Sequence, residues 1–383
     1  MGLAVDTSLQ SKRNFPVSSA SAIKVMVVDD SAVVRGLVSR WVGEESGMEI
    51  VARHANGKKA VDDVARSQPD IIILDIEMPV MDGLEALPQL LRARPGVKVV
   101  MASTLTQRNA EISMKALSLG ATDYIPKPDS NSGITTSTSF RNDLVARIRS
   151  LGAPRRLRSA ASGSLQKAAP VAAAKQVVAP PADTPKLRPF SAIAPRILVV
   201  GSSTGGPQAL AELFKAIGPK ISHLPVLVTQ HMPATFTAIL AKHLGEASGR
   251  PSKEAEHRET LQPGTIYVAP GGYHMRLKAE GNGAAIVLDQ GPEINFCRPA
   301  VDPMFETAAK IYRNALLACV LTGMGQDGAN GGKAIVAAGG SLVAQDEETS
   351  IVWGMPGAAA AAGVCSAILP LSAIGPKINS LLR

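Results

Sequence analysis

Short apolar runs, each closed by a polar residue and followed by a stretch of helical period, recur through both halves of this 383-residue chain. KVMVV precedes Asp29 and Asp30, IIIL precedes Asp75, and KVVMA precedes Ser103. RILVVGS leads into Ser203, LPVLVTQ into His231, and LLACVLTGMGQ into Asp327. Parallel strands need a crossover, usually a helix, so this alternation predicts β/α units around parallel sheets. In such sheets the residues just past the carboxyl ends of the strands gather on one rim, where these folds bind ligands. The fold expected is α/β, with two doubly wound parallel-sheet domains joined by a flexible linker, and each half carries its own polar set.

In the first half the strands read KVMVV, MEIVARH, IIILD, KVVMAS and DYIPK. In the second they fall near 196–201, 225–230, 265–269, 284–289, 316–322 and 341–344, with a small-residue helix and a short strand between Thr349 and Pro376. Residues 1–21 read as a disordered extension, 22–150 as one domain, 151–191 as an Ala/Pro-rich basic linker and 192–383 as a second domain. The net charge of +8 sits mostly in the linker: residues 152–190 hold seven basic residues against one acidic, while each flank has an excess of one. A folded nucleic-acid surface would place that excess on a domain, so no nucleic-acid partner is expected. Cys297, Cys319 and Cys365 have no paired or metal-type spacing and read as reduced thiols in a cytoplasmic protein. The uncharged stretch after Thr349 is broken by Gly354, Pro356, Gly357, Gly363 and Pro370, and no direct membrane insertion is expected.

Asp29, Asp30 and Asp75 at neighbouring strand ends would repel one another without a cation, and Mg²⁺ suits an all-oxygen set. Asp75 is the carboxylate placed to attack phosphorus, Lys127 supplies an ammonium, and the Ser103 hydroxyl can report a new phosphoryl group. Through VVDDSAVVR, LDIEMPVMDGLEAL, MAS and the Lys127-Pro128 pair, residues 22–150 resemble the response-regulator receiver domain. The resemblance implies phosphorylation of Asp75 with a histidine kinase as phosphodonor, Mg²⁺ at Asp29, Asp30 and Asp75, Ser103 and Lys127 as switch residues, and a cis Lys127–Pro128 bond.

In the second half, GSSTGGPQALAELF follows a strand and opens a helix, and Gly201, Ser203 and Gly205 fit G-x-S-x-G. Such a turn can present a nucleophilic hydroxyl beside the positive end of a helix, although a phosphate-binding loop or a plain tight turn has the same pattern. A serine needs a neutral imidazole to take its proton. His54 belongs to the first half, and His223, His243 and His257 lie in polar company. His231, at the end of a buried strand, is the best base, with His274 the runner-up. Asp327, among glycines after the most apolar strand, is the best orienting acid, ahead of Asp302 and Asp346. The order Ser, His, Asp excludes an α/β-hydrolase, which places the acid before the histidine.

The motifs GSSTGG, TQHMP, YVAPGGYHM, CRPAVDPMF, LTGMGQDGA and WGMPGAA resemble the catalytic domain of the CheB family of chemotaxis protein-glutamate methylesterases. The resemblance implies Ser203 as nucleophile, His231 as base, Asp327 as orienting acid, and the backbones of Thr204 and Met324 as an oxyanion hole. It implies a substrate of methylated glutamate on the cytoplasmic helices of chemoreceptors, glutamine deamidation in some members, and no cofactor for the esterase step. Ser202, Ala300 and Gln326 depart from the residues common there, which bears on substrate range more than on chemistry. A response regulator with a DNA-binding output would need a basic second half. A dinucleotide-binding oxidoreductase would need an acid where Gln230 and His231 stand.

Overall fold

The computed structural model describes residues 22–104, 106–127, 138–162, 186–281 and 283–382. The expected extension, most of the expected linker, and Pro128 with the expected cis bond lie outside the described residues.

Five strands build the first sheet: β1 (Ile23–Val28), β2 (Met48–His54), β3 (Ile71–Asp75), β4 (Lys98–Thr104) and β5 (Asp123–Lys127). They lie in the order β2-β1-β3-β4-β5, all parallel. The chain reverses direction across the sheet between β1 and β3, so Asp29, just past β1, and Asp75, the last residue of β3, lie at the carboxyl ends of adjacent strands at the switch point, where ligands bind in open sheets. Local chemistry starts the helices: the side chains of Ser31, Asn56, Asp82 and Thr106 each accept a first-turn backbone N–H.

The second sheet has seven parallel strands. β6 (Ile197–Ser202) is central, with β7 (Val226–Gln230), then β9 (Ile266–Val268) and β8 (Ser252–Glu254) on one side, and β12 (Leu316–Val320), β13 (Ser341–Gln345) and β14 (Ala367–Leu369) on the other. β6, β7 and β12 are fully buried, which explains their unbroken apolar runs. The run near 284–289 is a strand but not part of this sheet. β10 (His274–Glu280) and β11 (Gly283–Asp289) form a separate antiparallel hairpin, because the link through Gly281, at φ 55°, is too short for a parallel crossover.

Helix α5 (Thr138–Ser162) runs past the expected start of the linker, and the chain rejoins the second sheet where Arg188 N donates to Cys365 O at 2.9 Å. The two halves share one apolar cluster. Met114 and Leu117 of α4 (Gln107–Ser118) lie against α6 (Gly206–Ile217) and α7 (Ala234–Ser248). Tyr124 of β5 stacks on Phe236 of α7 with ring centroids 4.3 Å apart, a pair worth about 0.5–1.5 kcal/mol beyond its buried area. Among the described residues no helix is long and apolar enough to cross a membrane.

Candidate active site

Asp29, Asp30 and Asp75 do come together at the rim of the first sheet, with carboxylate oxygens within 4.8 Å of one another. Asp29 and Asp75 are buried and Asp30 is exposed. Lys127 Nζ lies 2.7 Å from both Asp29 Oδ2 and Asp75 Oδ1. Burial pushes the Asp75 carboxyl up to about 6, with the Asp29 charge adding to it, while Lys127 and the Ile76 N–H oppose. An all-oxygen set with one open, exposed member and an excess of negative charge fits a hard divalent cation. Ser103 Oγ is buried and 3.1 Å from Ser113 Oγ, so its hydroxyl faces α4 in this state.

Along the second rim, Ser203 follows β6, His231 follows β7 and Asp327 follows the strand next to β6 on its other side. The pairing of Ser202 with Gln230 sets Ser203 beside His231, and His231 N donates to Ser202 O at 3.1 Å. Several polar contacts fix the turn at Ser203. Gln230 Nε2 donates to Ser203 O at 2.9 Å, Ser203 N donates to Thr322 O at 3.0 Å, and Thr322 Oγ1 donates to Thr204 O at 2.9 Å. Gly205 sits at φ 75°, a conformation that favours glycine, and a Cβ at Gly206 would come 1.9 Å from Gln230 Oε1. Helix α6 starts here, so its positive end faces the hydroxyl. Neither the Thr204 N–H nor the Met324 N–H has an acceptor among the described residues.

His231 Nε2 lies 2.8 Å from Asp327 Oδ2. Asp327 is buried and also accepts from the backbone N–H groups of Val301 (2.6 Å), Asp302 (3.0 Å) and Gly328 (3.0 Å). Burial alone would raise its pKa, but His231 and these N–H groups hold the carboxyl below its ordinary value. The same logic acts in reverse on the imidazole, which burial would discharge and which Asp327 and Cys297 hold above its usual range. With the acid on Nε2–H, Nδ1 is the basic atom.

The other candidates serve elsewhere. His274 is buried with Nε2 2.9 Å from Pro292 O, and Nδ1 accepts from Ala300 N at 3.2 Å. Asp302 receives the N–H groups of Gly328 and Gly331 at the start of α9 (Ala329–Ala337), and Asp346 receives that of Thr349. Two residues at the site were missed in the sequence. Cys297 Sγ is 3.3 Å from His231 Nδ1, and Asn295 Nδ2 donates to Asp327 Oδ1 at 3.3 Å. Cys297 opens the CRPAVDPMF motif but reads only as a reduced thiol, and Asn295 lies just before that motif, in the turn between Ile294 and Cys297.

The family model described as CheB methylesterase matches residues 198–378, and that of the response regulator receiver domain matches residues 25–138. The protein-glutamate methylesterase/protein-glutamine glutaminase of group 2 operon of Bradyrhizobium diazoefficiens is 55% identical over 375 residues, covering 94% of each chain. The chain belongs to the CheB methylesterase family. A second CheB-type relative, from Nitrobacter hamburgensis and named protein-glutamate methylesterase/protein-glutamine glutaminase, is 56% identical over 359 residues and again covers 94% of each chain. Among solved structures, the Thermotoga maritima CheB methylesterase catalytic domain is similar at 41% identity with a TM-score of 0.48, covering 49% of this chain and 100% of that one. In CheB terms the first sheet is the receiver and the second the catalytic domain.

Proposed function

We propose that this chain hydrolyses methyl esters of glutamate side chains on the cytoplasmic helices of chemoreceptors, and glutamine amides at the same site, under control of its receiver. The reading rests chiefly on the His231–Asp327 pair, with His231 following the strand paired to the one that leads into Ser203, and on the backbone N–H groups of Thr204 and Met324, which have no acceptor among the described residues. Ser203 gives its proton to His231 Nδ1 and its oxygen attacks the ester carbonyl, whose oxygen becomes an anion held by the Thr204 and Met324 N–H groups. The carbonyl re-forms as the methoxy group leaves, taking the proton from His231. Water then attacks the glutamyl-Ser203 ester, giving its proton to His231, and Ser203 leaves reprotonated. An amide follows the same path with ammonia as the leaving group. This step uses side chains and backbone only.

Control comes from cover. Thr204 Oγ1 donates to Asp123 Oδ2 of the receiver at 3.1 Å, and Gln208 Nε2 donates to the carbonyls of Leu117 and Ala121, each at 2.6 Å. Met324 lies against the apolar cluster that holds the receiver's Phe140 and Leu144. A cleft of about 780 Å³ between the halves is lined by Lys127 and Phe140 from the receiver and by Glu293, Phe296 and Met324 from the second domain. Asp29, Asp30 and Asp75 would hold Mg²⁺, which when bound neutralises phosphoryl oxygens. Asp75 accepts the phosphoryl group of a histidine kinase, Lys127 holds its oxygens, and Ser103 turns from Ser113 toward it, shifting the population to an uncovered state.

Methanol release from methylated receptor membranes, with and without a small phosphodonor, tests this. Wild type is expected to respond to the donor, Asp75→Asn to ignore it, and Ser203→Ala to release nothing. Equal activity of wild type and Asp75→Asn under both conditions would sink the regulation, and an active Ser203→Ala would sink the mechanism.

A further inference from the structure

Both ring nitrogens of His231 are engaged, and neither by Ser203. Nε2 faces Asp327 at 2.8 Å and Nδ1 faces Cys297 Sγ at 3.3 Å. With the acid on Nε2, Nδ1 is the one ring atom able to take the Ser203 proton. The thiol therefore stands where the hydroxyl has to bind, and Ser203 Oγ has no hydrogen-bond partner among the described residues.

A distinct local device puts the thiol there. Ile294 and Cys297 exchange backbone hydrogen bonds of 3.1 and 3.0 Å, closing a turn whose central residues, Asn295 and Phe296, have φ of 53° and 61°. Two successive left-handed residues with side chains are strained, so the surroundings must hold them. Asn295 is tied to Asp327 Oδ1, and His274 grips the same loop at Pro292 and Ala300 on either side. Phe296, by contrast, is 97% exposed. The turn thus touches the acid through Asn295 and the base through Cys297, yet buries no aromatic surface of its own. That is the pattern of a part that orients the pair rather than one that fills the core.

We propose that Cys297 is a positioning residue for ester hydrolysis: its thiol holds the His231 ring by Nδ1 between turnovers and yields that atom to Ser203 when substrate enters. The proposal rests on the Ser203, His231 and Asp327 reading above. The groups that face the ring are Asp327 after β12 and Cys297 on the turn. Asp302, at the start of α8 (Val301–Tyr312), stands behind Asp327, His274 of β10 stands behind the turn, and the first turn of α7 offers no acidic residue. Asp327 and Cys297 both favour the charged imidazole. Without the thiol the ring gives up its proton at lower pH, and Nδ1 is also open to Ser203 from the start. Both effects favour activity on the acid side.

The experiment uses the full chain activated by a small phosphodonor and follows methanol release from methylated receptor membranes between about pH 5.5 and 9. Cys297→Ala is expected to move the acid limb of kcat/KM down by about half a pH unit and to raise the rate near pH 6 about threefold. Cys297→Val, close to the thiol in volume but unable to hydrogen-bond, gives the same shift without a cavity. Cys297→Ser keeps an atom that accepts from Nδ1–H of the charged ring, and its limb stays within about 0.2 unit of wild type. Profiles of Cys297→Ala and Cys297→Val that superimpose on wild type, or that fall by one factor at every pH as for a structural cysteine, overturn the proposal. Ser203→Ala, run alongside, separates the two layers: if it turns over substrate the triad reading fails, and if it is inert while the alanine and valine limbs stay in place, the role of Cys297 alone fails.

Discussion

Thr204 Oγ1 donates a 3.1 Å hydrogen bond to Asp123 Oδ2, although the two residues belong to different sheets. Asp123 opens β5 of the receiver and is also held by the Arg147 guanidinium from α5, while Thr204 directly follows the nucleophile candidate. One carboxylate thus joins the element that carries Lys127 to the turn that carries Ser203. A displacement of β5 or α5 on phosphorylation has a short path to the esterase rim.

Gln208 gives the cleanest measure of that cover, because among the described residues its amide donates to Leu117 O and Ala121 O alone, and it lies one turn beyond the reacting groups. A hydrogen bond contributes roughly 0.5–1.5 kcal/mol net. Gln208→Ala should therefore raise the activity of unphosphorylated protein by about tenfold, with the phosphorylated rate unchanged. Methanol release without a donor checks this, and an unaltered basal rate would show that these contacts do not hold the closed state.

Asp75 carries a stability cost above its ordinary pKa. Its folded pKa is raised to about 6 from 3.8, so the folded protein binds its proton more tightly than the unfolded chain. The contribution to stability is present at low pH and is lost as pH rises from about 4 to 6. Asp75→Asn should therefore raise the melting temperature in metal-free buffer near pH 7.5, by an amount equivalent to about 1–3 kcal/mol. The gain should vanish near pH 4. Mg²⁺ should stabilise wild type and have little effect on the variant, since binding to the folded state alone shifts the melting point. Thermal scans at three pH values, with Mg²⁺ and with EDTA, test both statements.

The alternation of apolar runs made both sheets legible, as buried parallel strands cannot be written any other way, and the polar residues that close them led to Asp29, Asp75, Ser203, His231 and Asp327. Short edge strands were not legible. Ser252–Glu254 is half-buried and polar, and nothing in SKE separates it from a loop. The α5 extension was hidden because Ala and Arg favour helix as readily as a loose tether. Cys297 and Asn295 escaped for a different reason. They belong to a turn, and which side chains of a turn meet a site is set by the tertiary packing of His274 behind it.

His274 and His231 should separate cleanly by experiment. His274→Ala leaves Pro292 O and Ala300 N without their buried partner, which costs about 1–3 kcal/mol for each unsatisfied group. It should lower the melting temperature and weaken activity by loosening the 292–300 loop, with the acid limb of the pH profile kept in place. His231→Ala should abolish turnover with a smaller thermal effect, because Asp327 keeps its three backbone N–H donors and Asn295. Thermal scans and methanol release on the same preparations decide this, and a fully active His231→Ala would transfer the base to His274.

Asp327 is the residue whose loss should be felt in both chemistry and folding. Its carboxylate accepts from three backbone N–H groups and Asn295 and faces the His231 ring, so no oxygen is idle. An amide offers one acceptor oxygen and turns an NH₂ group toward donors, and the imidazole loses the partner that keeps its proton on Nε2. Asp327→Asn should reduce turnover by about 10⁴ while Ser203 remains in place. The carboxyl's folded pKa is lowered, so its contribution to stability is present above the unfolded value near 3.8 and disappears as pH falls through the lower folded value. Asp302, raised to about 6 by burial and by the Asp327 charge, acts in the opposite sense and favours the fold at low pH. Removing the Asp327 charge takes away both the acid-side loss and part of the upward push on Asp302. The variant should be less stable at pH 7, gain less than wild type as pH falls from about 6 to 4, and lose less than wild type as pH falls further, which urea titrations across that range can measure.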